Sequence, residues 1–280
     1  MLSKNQIKAL TRYRQDKYRK EDNVFVVEGC KLAQEVLQSG LEVEAVYATR
    51  SWIGRNSFEQ WALTESNSMK TDSEKKKTES RFDFTDSKKR FLPSLVEVTQ
   101  EELERISLLS TPNDVYCLVR RPERVPDYRH DGLTLVLDGI RDPGNLGTII
   151  RLADWFAIDR VICSKDCVDM YNPKTVQSTM GSLFRVEVFY CDLEDFFKRL
   201  PSGLDVYGSL VEEGDSVYGQ RLSDNAVLVI GSESHGISER VRKYINRSLN
   251  IPCFKHGNRP ESLNAAMACA VLLSEFRRNG

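Results

Sequence analysis

The chain has 280 residues, of which 40% are hydrophobic and 29% charged, and its formal net charge is −1. This composition is typical of a globular protein, and the length suffices for one large domain or two ordinary ones. No apolar run approaches the ~20 residues that span a bilayer, and the first residues lack the apolar core of a secretory signal. We therefore expect neither a membrane protein nor a secreted one.

The first twenty residues are strongly basic. Their only acid is Asp16, and their basic residues are Lys4, Lys8, Arg12, Arg14, Lys17, Arg19 and Lys20. Such an arm neutralises phosphates and favours a nucleic-acid partner, whatever the charge of the whole chain. A solvated helix face without a ligand explains the same charges equally well, so both interpretations remain open.

Short strands and helices alternate in the first part of the chain. Strands are predicted at 23–27, 44–48, 95–98 and 115–119, and helices at 28–38 and 99–106. Thr99 followed by Glu102 forms a capping-box pattern at the start of the second helix. We expect a small α/β domain over residues 1–122.

Two segments interrupt the regular pattern. Residues of about 64–90 are polar and contain almost nothing apolar except Met69, Phe82 and Phe84. They cannot bury enough surface to offset their chain entropy, so a flexible insertion is expected. Residues 123–131 are polar and broken by proline, which predicts a linker between domains.

From residue 132 to the end, strands alternate with helices. The predicted strands are 134–137, 161–163, 186–189, 205–208, 226–230 and 248–251, and the last helix is predicted at 262–277. This alternation predicts an α/β domain over residues 132–280 with a mostly parallel sheet covered on both faces.

Three polar, glycine-containing corners lie within this domain. The first carries Asn145, Gly147 and Arg151, the second spans residues 231–236, and the third spans residues 261–264. Ligands of open α/β sheets bind at the carboxyl ends of the strands. Three such corners in one domain predict an enzyme site.

Several familiar chemistries lack their motifs. The chain has neither the GxGxxG dinucleotide fingerprint nor the GxxxxGK[ST] phosphate loop, and it has no GxSxG elbow. Its three histidines have no metal spacing, and Cys163 with Cys167 lacks a matching second pair, so no metal is expected. Seven irregularly spaced cysteines favour a reducing cytoplasm. Asn, Arg, Glu and Ser remain, which favours chemistry driven by positioning.

Taken in order, the corners resemble the SpoU (TrmH) family. The matching motifs are Asn145-x-Gly147-x-x-x-Arg151, Gly231-x-Glu233-x-x-Gly236, Ile251-Pro252 and Glu261-Ser262-Leu263-Asn264. Members are S-adenosylmethionine-dependent RNA ribose 2′-O-methyltransferases of the SPOUT class. The resemblance covers about residues 131–280. More loosely, residues 23–29 resemble the small ribosomal-protein-like RNA-binding domain that often precedes the catalytic domain.

The resemblance implies the fold, the cofactor and the partners. The carboxyl-terminal chain would form a deep trefoil knot, and S-adenosylmethionine would lie in the knotted loops. The substrate would be RNA, with ribosomal RNA preferred over transfer RNA, and the protein would act as a homodimer without a metal. Two alternatives remain open: a non-catalytic RNA-binding or ribosome-assembly factor that keeps the fold, and a base-modifying methyltransferase of the same superclass.

The resemblance also implies roles for individual residues. The expected cofactor contacts are Gly231, Ile251, Leu263, Gly208, Glu233 and Gly236. The expected catalytic set is Arg151, Asn145, Ser262 and Asn264. Arg151 would lie beside the target ribose, either removing the hydroxyl proton or stabilising the developing charge. A guanidinium stays protonated at neutral pH, so the first of these roles requires an unusual environment.

Each of these residues also has a purely structural interpretation. Ile251 and Leu263 are ordinary core residues in that view, and Gly231 simply ends a strand. An ion pair with Asp154 accounts for Arg151. Helix capping accounts for the polar residues Asn145, Ser262 and Asn264. Glu233 is expected to anchor the second corner by accepting main-chain N–H groups.

The chain departs from the family pattern in two places. Ser232 stands where members commonly have asparagine. The segment 253–260 is longer than the usual link between Ile-Pro and Ser-Leu-Asn. Its Lys255, His256 and Arg259 offer positive charge that could reach RNA phosphates, and they stay outside the expected catalytic set.

Overall fold

The computed structural model describes residues 1–56, 93–124, 132–158, 160–210, 214–255, 257–258 and 261–278. The chain forms two compact units, residues 1–122 and 123–280. The insertion predicted at 64–90, and most of the predicted linker, lie outside the described residues.

The first unit is built on a four-stranded sheet. Its strands are β1 (Val24–Glu28), β2 (Val43–Ala48), β3 (Ser94–Glu97) and β4 (Val115–Arg120), in the order β1-β4-β2-β3. Strand β4 is antiparallel to β1 and β2, whereas β2 and β3 are parallel. Its helices are α1 (Lys4–Thr11), α2 (Asp16–Glu21), α3 (Cys30–Gln38), α4 (Arg50–Arg55) and α5 (Gln100–Ile106). The four predicted strands are confirmed to within a residue or two.

Local hydrogen bonds fix the elements of this unit. The capping box is confirmed, because the Thr99 hydroxyl accepts the Glu102 N–H at 3.2 Å and the Glu102 carboxylate accepts the Thr99 N–H at 3.0 Å. At the end of β1, buried Glu28 accepts the Ser107 hydroxyl at 2.6 Å and the Leu108 N–H at 2.8 Å. Burial raises the pKa of Glu28, although both hydrogen bonds oppose that shift.

Some of the basic residues among the first twenty form contacts within the first unit itself. Arg19 is only 1% exposed, and its guanidinium donates to the carbonyl oxygens of Tyr13 at 2.8 Å and Arg14 at 3.0 Å. Arg12 is paired with Asp22. The charge available to a partner is therefore smaller than the sequence count indicates, and Arg19 is a structural residue.

The second unit contains a seven-stranded sheet. Its strands are β5 (Leu133–Asp138), β6 (Arg160–Ser164), β7 (Glu187–Cys191), β8 (Asp205–Ser209), β9 (Asp215–Ser216), β10 (Ala226–Gly231) and β11 (Arg247–Asn250). The order is β7-β6-β5-β10-β8-β11-β9, and every pairing is parallel. The predicted α/β domain with a mostly parallel sheet is confirmed. Among the strands of the described residues, only the two-residue β9 has no counterpart in the prediction.

The helices of this unit are α6 (Pro143–Trp155), α7 (Pro173–Thr179), α8 (Leu193–Lys198), α9 (Glu239–Arg242) and α10 (Ala265–Phe276). Helix α6 packs against both α7 and α10. Gly147 permits the approach of α7, since a Cβ there would lie 2.7 Å from the Thr175 carbonyl oxygen. In the described residues no helix has the length and apolarity needed to cross a bilayer.

The sheet register brings two of the corners together. Asp138, the last residue of β5, pairs with Gly231, the last residue of β10. Both following loops therefore start at the same edge of the sheet. Asp138 reinforces this arrangement, because its buried carboxylate accepts the Ser238 N–H at 2.7 Å.

Candidate active site at the carboxyl edge of the sheet

A cavity of about 690 Å³ opens where strands β8, β10 and β11 end. Ser209 and Leu210 line it from the end of β8, and Gly231 from the end of β10. Ile251 follows β11, and Leu263 precedes α10. The cavity therefore occupies the position at which open α/β sheets bind ligands.

Six of the ten predicted site residues line this cavity, namely Gly231, Glu233, Gly236, Ile251, Ser262 and Leu263. Gly208, Asn145, Asn264 and Arg151 do not line it. Gly208 lies within β8, where a Cβ would stand 2.4 Å from the Ile245 side chain. Its small size serves the packing of Ile245 onto the strand.

Leu263 is not a core residue. Its side chain is 48% exposed, although it forms part of the cavity wall. Ile251 is only partly buried. For Leu263 the core-packing interpretation is therefore wrong, and both apolar side chains are available to a ligand.

Gly231 allows the second corner to fold back on itself. A Cβ at this position would lie 2.2 Å from the carbonyl carbon of Gly236, a distance that no side chain tolerates. Ser232 and Gly236 exchange both main-chain hydrogen bonds, at 3.1 and 2.8 Å. Glycine is thus required here by a close backbone approach.

A chain of side-chain hydrogen bonds links the three corners. Asn145 donates its side-chain amide to the Glu233 carboxylate. Asn264 in turn donates its amide to the Asn145 side-chain oxygen at 3.0 Å. Residues from the first turn of α6, the loop after β10 and the start of α10 therefore meet at one point.

The residues that cap helices α6 and α10 differ in part from those predicted. Asp142 caps α6, accepting the Asn145 N–H at 2.8 Å, so the capping role predicted for Asn145 is wrong. Asn264 does cap α10, accepting the N–H groups of Ala266 and Met267 at 3.0 and 3.3 Å. That helix begins three residues later than predicted, so Ser262 precedes the cap.

Glu233 anchors the second corner through a side chain. Within the described residues, the Asn145 amide donates to the Glu233 carboxylate, and no main-chain N–H does so. The expected main-chain anchoring is therefore replaced by a link to the first corner.

Arg151 is exposed on α6, six residues beyond Asn145 and hence about 9 Å farther along the helix axis. Asp154 pairs instead with Arg185, at 2.8 and 2.9 Å. Partial burial acts to raise the pKa of Asp154, but Arg185 and a Ser182 hydrogen bond lower it below its ordinary value. The structural alternative for Arg151, an ion pair with Asp154, is thus wrong. Over the described ranges the Arg151 side chain has no hydrogen bond or ion pair.

The cavity wall is acidic. Its charged residues are Glu233 and Glu261, with no lysine or arginine among the described residues that line it. Such a wall favours a ligand that carries positive charge. Within the described residues, no group of three His, Cys, Asp or Glu is arranged to hold a metal ion.

The sequence profile of the SpoU rRNA Methylase family matches residues 132–274, slightly more than half of the chain. The chain belongs to the SpoU methylase family. Residues 4–117 match a second profile, described as an MRM3-like substrate binding domain. The family recognised from the motif order is confirmed.

Individual relatives agree with this assignment. This chain is 29% identical over 182 residues to the 23S rRNA (guanosine(2553)-2′-O)-methyltransferase RlmP of Bacillus subtilis. The match covers 64% of this chain and 71% of RlmP. A TrmH-family protein from Porphyromonas gingivalis is 35% identical, with a TM-score of 0.77 and full coverage of both chains. The AdoMet-bound rRNA methyltransferase from Sinorhizobium meliloti shares the fold at 24% identity, with a TM-score of 0.77 and coverage of 99% and 97%.

Sequence reasoning missed part of the cavity wall of this SpoU methylase. Ser209, Leu210 and Ser216 line the cavity but belong to no motif. They follow or lie on strands whose carboxyl ends reach the same edge. The end of the predicted strand 205–208 was the signal available for Ser209 and Leu210, whereas β9 is too short to show a periodicity.

Proposed function

We propose that this SpoU methylase transfers the methyl group of S-adenosylmethionine to the 2′-hydroxyl of a ribose in ribosomal RNA. The observation that carries the proposal is the junction of Asn145, Glu233 and Asn264 beside the cavity. Three separated motifs converge there, as a single reaction centre requires. The family description and the name of the Bacillus relative support RNA as the substrate.

The cavity fits this cofactor in volume and in charge. Its 690 Å³ falls within the ~300–1,000 Å³ typical of small-molecule sites. The sulfonium and ammonium groups of the cofactor outweigh its single carboxylate, which suits a wall whose charges come from Glu233 and Glu261. Leu263 and Ile251 offer apolar surface to the adenine ring. The main-chain groups near Gly231 and Ile251 would form the polar contacts with the cofactor.

The residues of the chain divide the work of the reaction. When bound, S-adenosylmethionine supplies a methyl group activated by its positively charged sulfur. Asn145 and Asn264 hold the first and third corners in register beside the cavity, and Ser262 shapes its wall. Arg151, a permanent cation free of competing partners in the described residues, clamps an RNA phosphate and stabilises negative charge that develops on the ribose oxygen while the hydroxyl proton leaves to water.

The first unit is assigned to RNA recognition. Its match to a substrate-binding domain supports this role, together with the exposed lysines Lys4, Lys8 and Lys17. Lysines contribute affinity through phosphates without reading sequence, so the choice of nucleotide depends on RNA shape as well.

We also infer a reducing cytoplasm and a homodimer. All seven cysteines are free thiols, and Cys30 and Cys253 are exposed, which favours a reducing compartment. The homodimer rests on the family resemblance, and Trp155 at the end of α6 is 83% exposed and supplies a candidate contact. Sedimentation of the purified chain tests the assembly.

The test of the proposed function is methyl transfer to RNA followed by analysis of the nucleosides. Ribosomal RNA from cells that lack this protein is incubated with the protein and methyl-labelled S-adenosylmethionine, then digested to nucleosides and analysed by mass spectrometry. We expect label on ribose. Label on a base identifies a base-modifying methyltransferase, and RNA binding without transfer identifies a non-catalytic factor. Either result overturns the proposal.

A further inference from the structure

Two exposed aromatic side chains lie face to face in the second unit. The ring centroids of Tyr218 and Phe254 are 6.4 Å apart, and their planes are inclined by 27°. Phe254 is 78% exposed and Tyr218 is 40% exposed. The transfer of large aromatic rings from water into a contact is favourable, so a pair of exposed rings is a candidate surface for binding.

The pair is located at the rim of the cavity. Tyr218 lies two residues after Ser216 and Phe254 directly follows Cys253, and both of these preceding residues line the cavity. An RNA that enters the cavity from the side of Ser216 and Cys253 would therefore pass close to the two rings.

The fold holds the Tyr218 side of the pair in place. Ser216 of β9 pairs with Asn250 of β11, and the Val217 N–H donates to the Asn250 carbonyl oxygen at 2.9 Å. Val217 itself is 1% exposed and thus fixed in the core. Tyr218 therefore lies at the edge of the sheet. Phe254 lies in the segment after β11, four residues beyond Asn250.

We propose that Phe254 and Tyr218 form a stacking platform for an unpaired base of the RNA substrate, beside the nucleotide whose ribose enters the cavity. Proteins recognise single-stranded RNA by stacking bases on aromatic rings, which every base accepts through its π-face. The exposed face of Phe254 is open for this contact. Lys255, the next residue and also exposed, supplies the positive charge that the adjoining phosphate requires.

This inference rests on the proposed function, because it takes RNA as the substrate. A partner protein would be favoured by a continuous apolar patch with a polar rim. Here the residue before Phe254 lines the cavity and the residue after it is the exposed Lys255, so the neighbouring charge and the position both favour a nucleotide strand.

The test compares substitutions of Phe254. Phe254→Ala should weaken the binding of RNA about 5- to 150-fold, the range expected for loss of one stacked base. Phe254→Trp should restore binding, whereas Phe254→Leu, which keeps apolar surface but has no ring, should not. Calorimetric affinity for S-adenosylmethionine and the melting temperature should stay unchanged in all three variants, because the side chain is exposed.

A fluorescent base gives a readout that a merely structural role would not affect. The probe is a short oligouridylate with one central 2-aminopurine, whose emission is quenched by stacking. Wild type and Phe254→Trp should quench it, and Phe254→Leu should not. Equal quenching or equal binding by Phe254→Leu overturns the stacking platform. A change in sedimentation of Phe254→Ala also overturns it, because the rings would then join copies of the chain.

The two proposals can fail separately. Quenching is measured with S-adenosylhomocysteine and needs no methyl transfer, so it supports the platform even if the transfer assay finds no product. Methyl transfer that is insensitive to Phe254→Ala contradicts the platform and leaves the proposed function standing.

Discussion

The side-chain amide of Asn264 donates to the side-chain oxygen of Asn145 at 3.0 Å, joining residues that are 119 positions apart. The same Asn264 caps helix α10, and the same Asn145 donates to Glu233. One hydrogen-bonded chain therefore couples the start of the last helix to both glycine corners. We expect the cavity wall near Glu233 to be positioned through that coupling.

The coupling can be separated from helix capping by two substitutions of Asn264. Asn264→Asp keeps an oxygen that accepts the N–H groups of α10 but cannot donate to Asn145, so methyl transfer should fall more than ~10-fold with little loss of stability. Asn264→Ala loses both contacts and should in addition lower the free energy of unfolding by about 1 kcal/mol. Chemical denaturation and transfer kinetics measure the two effects. Full activity of Asn264→Asp would show that the link is dispensable.

Arg151 is expected to act on the reaction and not on the fold. Arg151→Ala should lower kcat by about 100-fold or more, the order seen when a charge-stabilising donor is removed. The melting temperature and cofactor affinity should not change, because the side chain is exposed and has no partner in the described residues. Arg185→Ala is the matched control: it breaks the ion pair with Asp154 and should leave transfer intact. A normal kcat for Arg151→Ala would remove this residue from the mechanism.

Gly231 should tolerate no side chain. In Gly231→Ala the new methyl group would stand 2.2 Å from the Gly236 carbonyl carbon, so the second corner must move and the cofactor affinity should fall at least ~10-fold. Gly54→Ala is the control, because nothing lies within 4 Å of its Cβ position and it sits in helix α4. That change should leave affinity untouched and stabilise the helix by up to about 1 kcal/mol. Equal affinities of the two variants in calorimetry would refute this account of the corner.

The Asp154–Arg185 pair predicts a defined pH dependence of stability. Since the pKa of Asp154 is lowered in the fold, the pair contributes stability above the ordinary aspartate value of ~3.9 and loses it as pH falls through the lowered pKa. Asp154→Asn should cost about 0.5 kcal/mol at neutral pH, a small value because the pair is partly exposed. The difference from wild type should shrink as pH falls through the lowered pKa of Asp154 and vanish below it. A difference that persists in more acidic solution would contradict the sign.

Strands were predictable because apolar runs such as residues 133–137 are bounded by polar residues and turns.

The residue at which each helix begins was harder to predict. Asp142, Asn145, Ser262 and Asn264 all carry side chains able to cap, and sequence does not say which oxygen meets the free N–H groups. Pro143 at the first helical position was the available signal for Asp142.

Contacts between residues that are far apart in the sequence could not be predicted from the hydrophobic periodicity. The link of Asn264 to Asn145 and the burial of Arg19 depend on how distant elements pack. No local propensity encodes either relation. The order of the motifs pointed to three corners that the fold brings together, but it did not predict that Asp154 would pair with Arg185 and not with Arg151.

The most direct test of the central claim is a crystal structure with S-adenosylhomocysteine bound. The account predicts the adenosyl group in the cavity bordered by Gly231, Ile251 and Leu263, with the sulfur directed toward the Asn145–Asn264 link. A ligand bound elsewhere on the chain, or a sulfur facing away from that link, would contradict it.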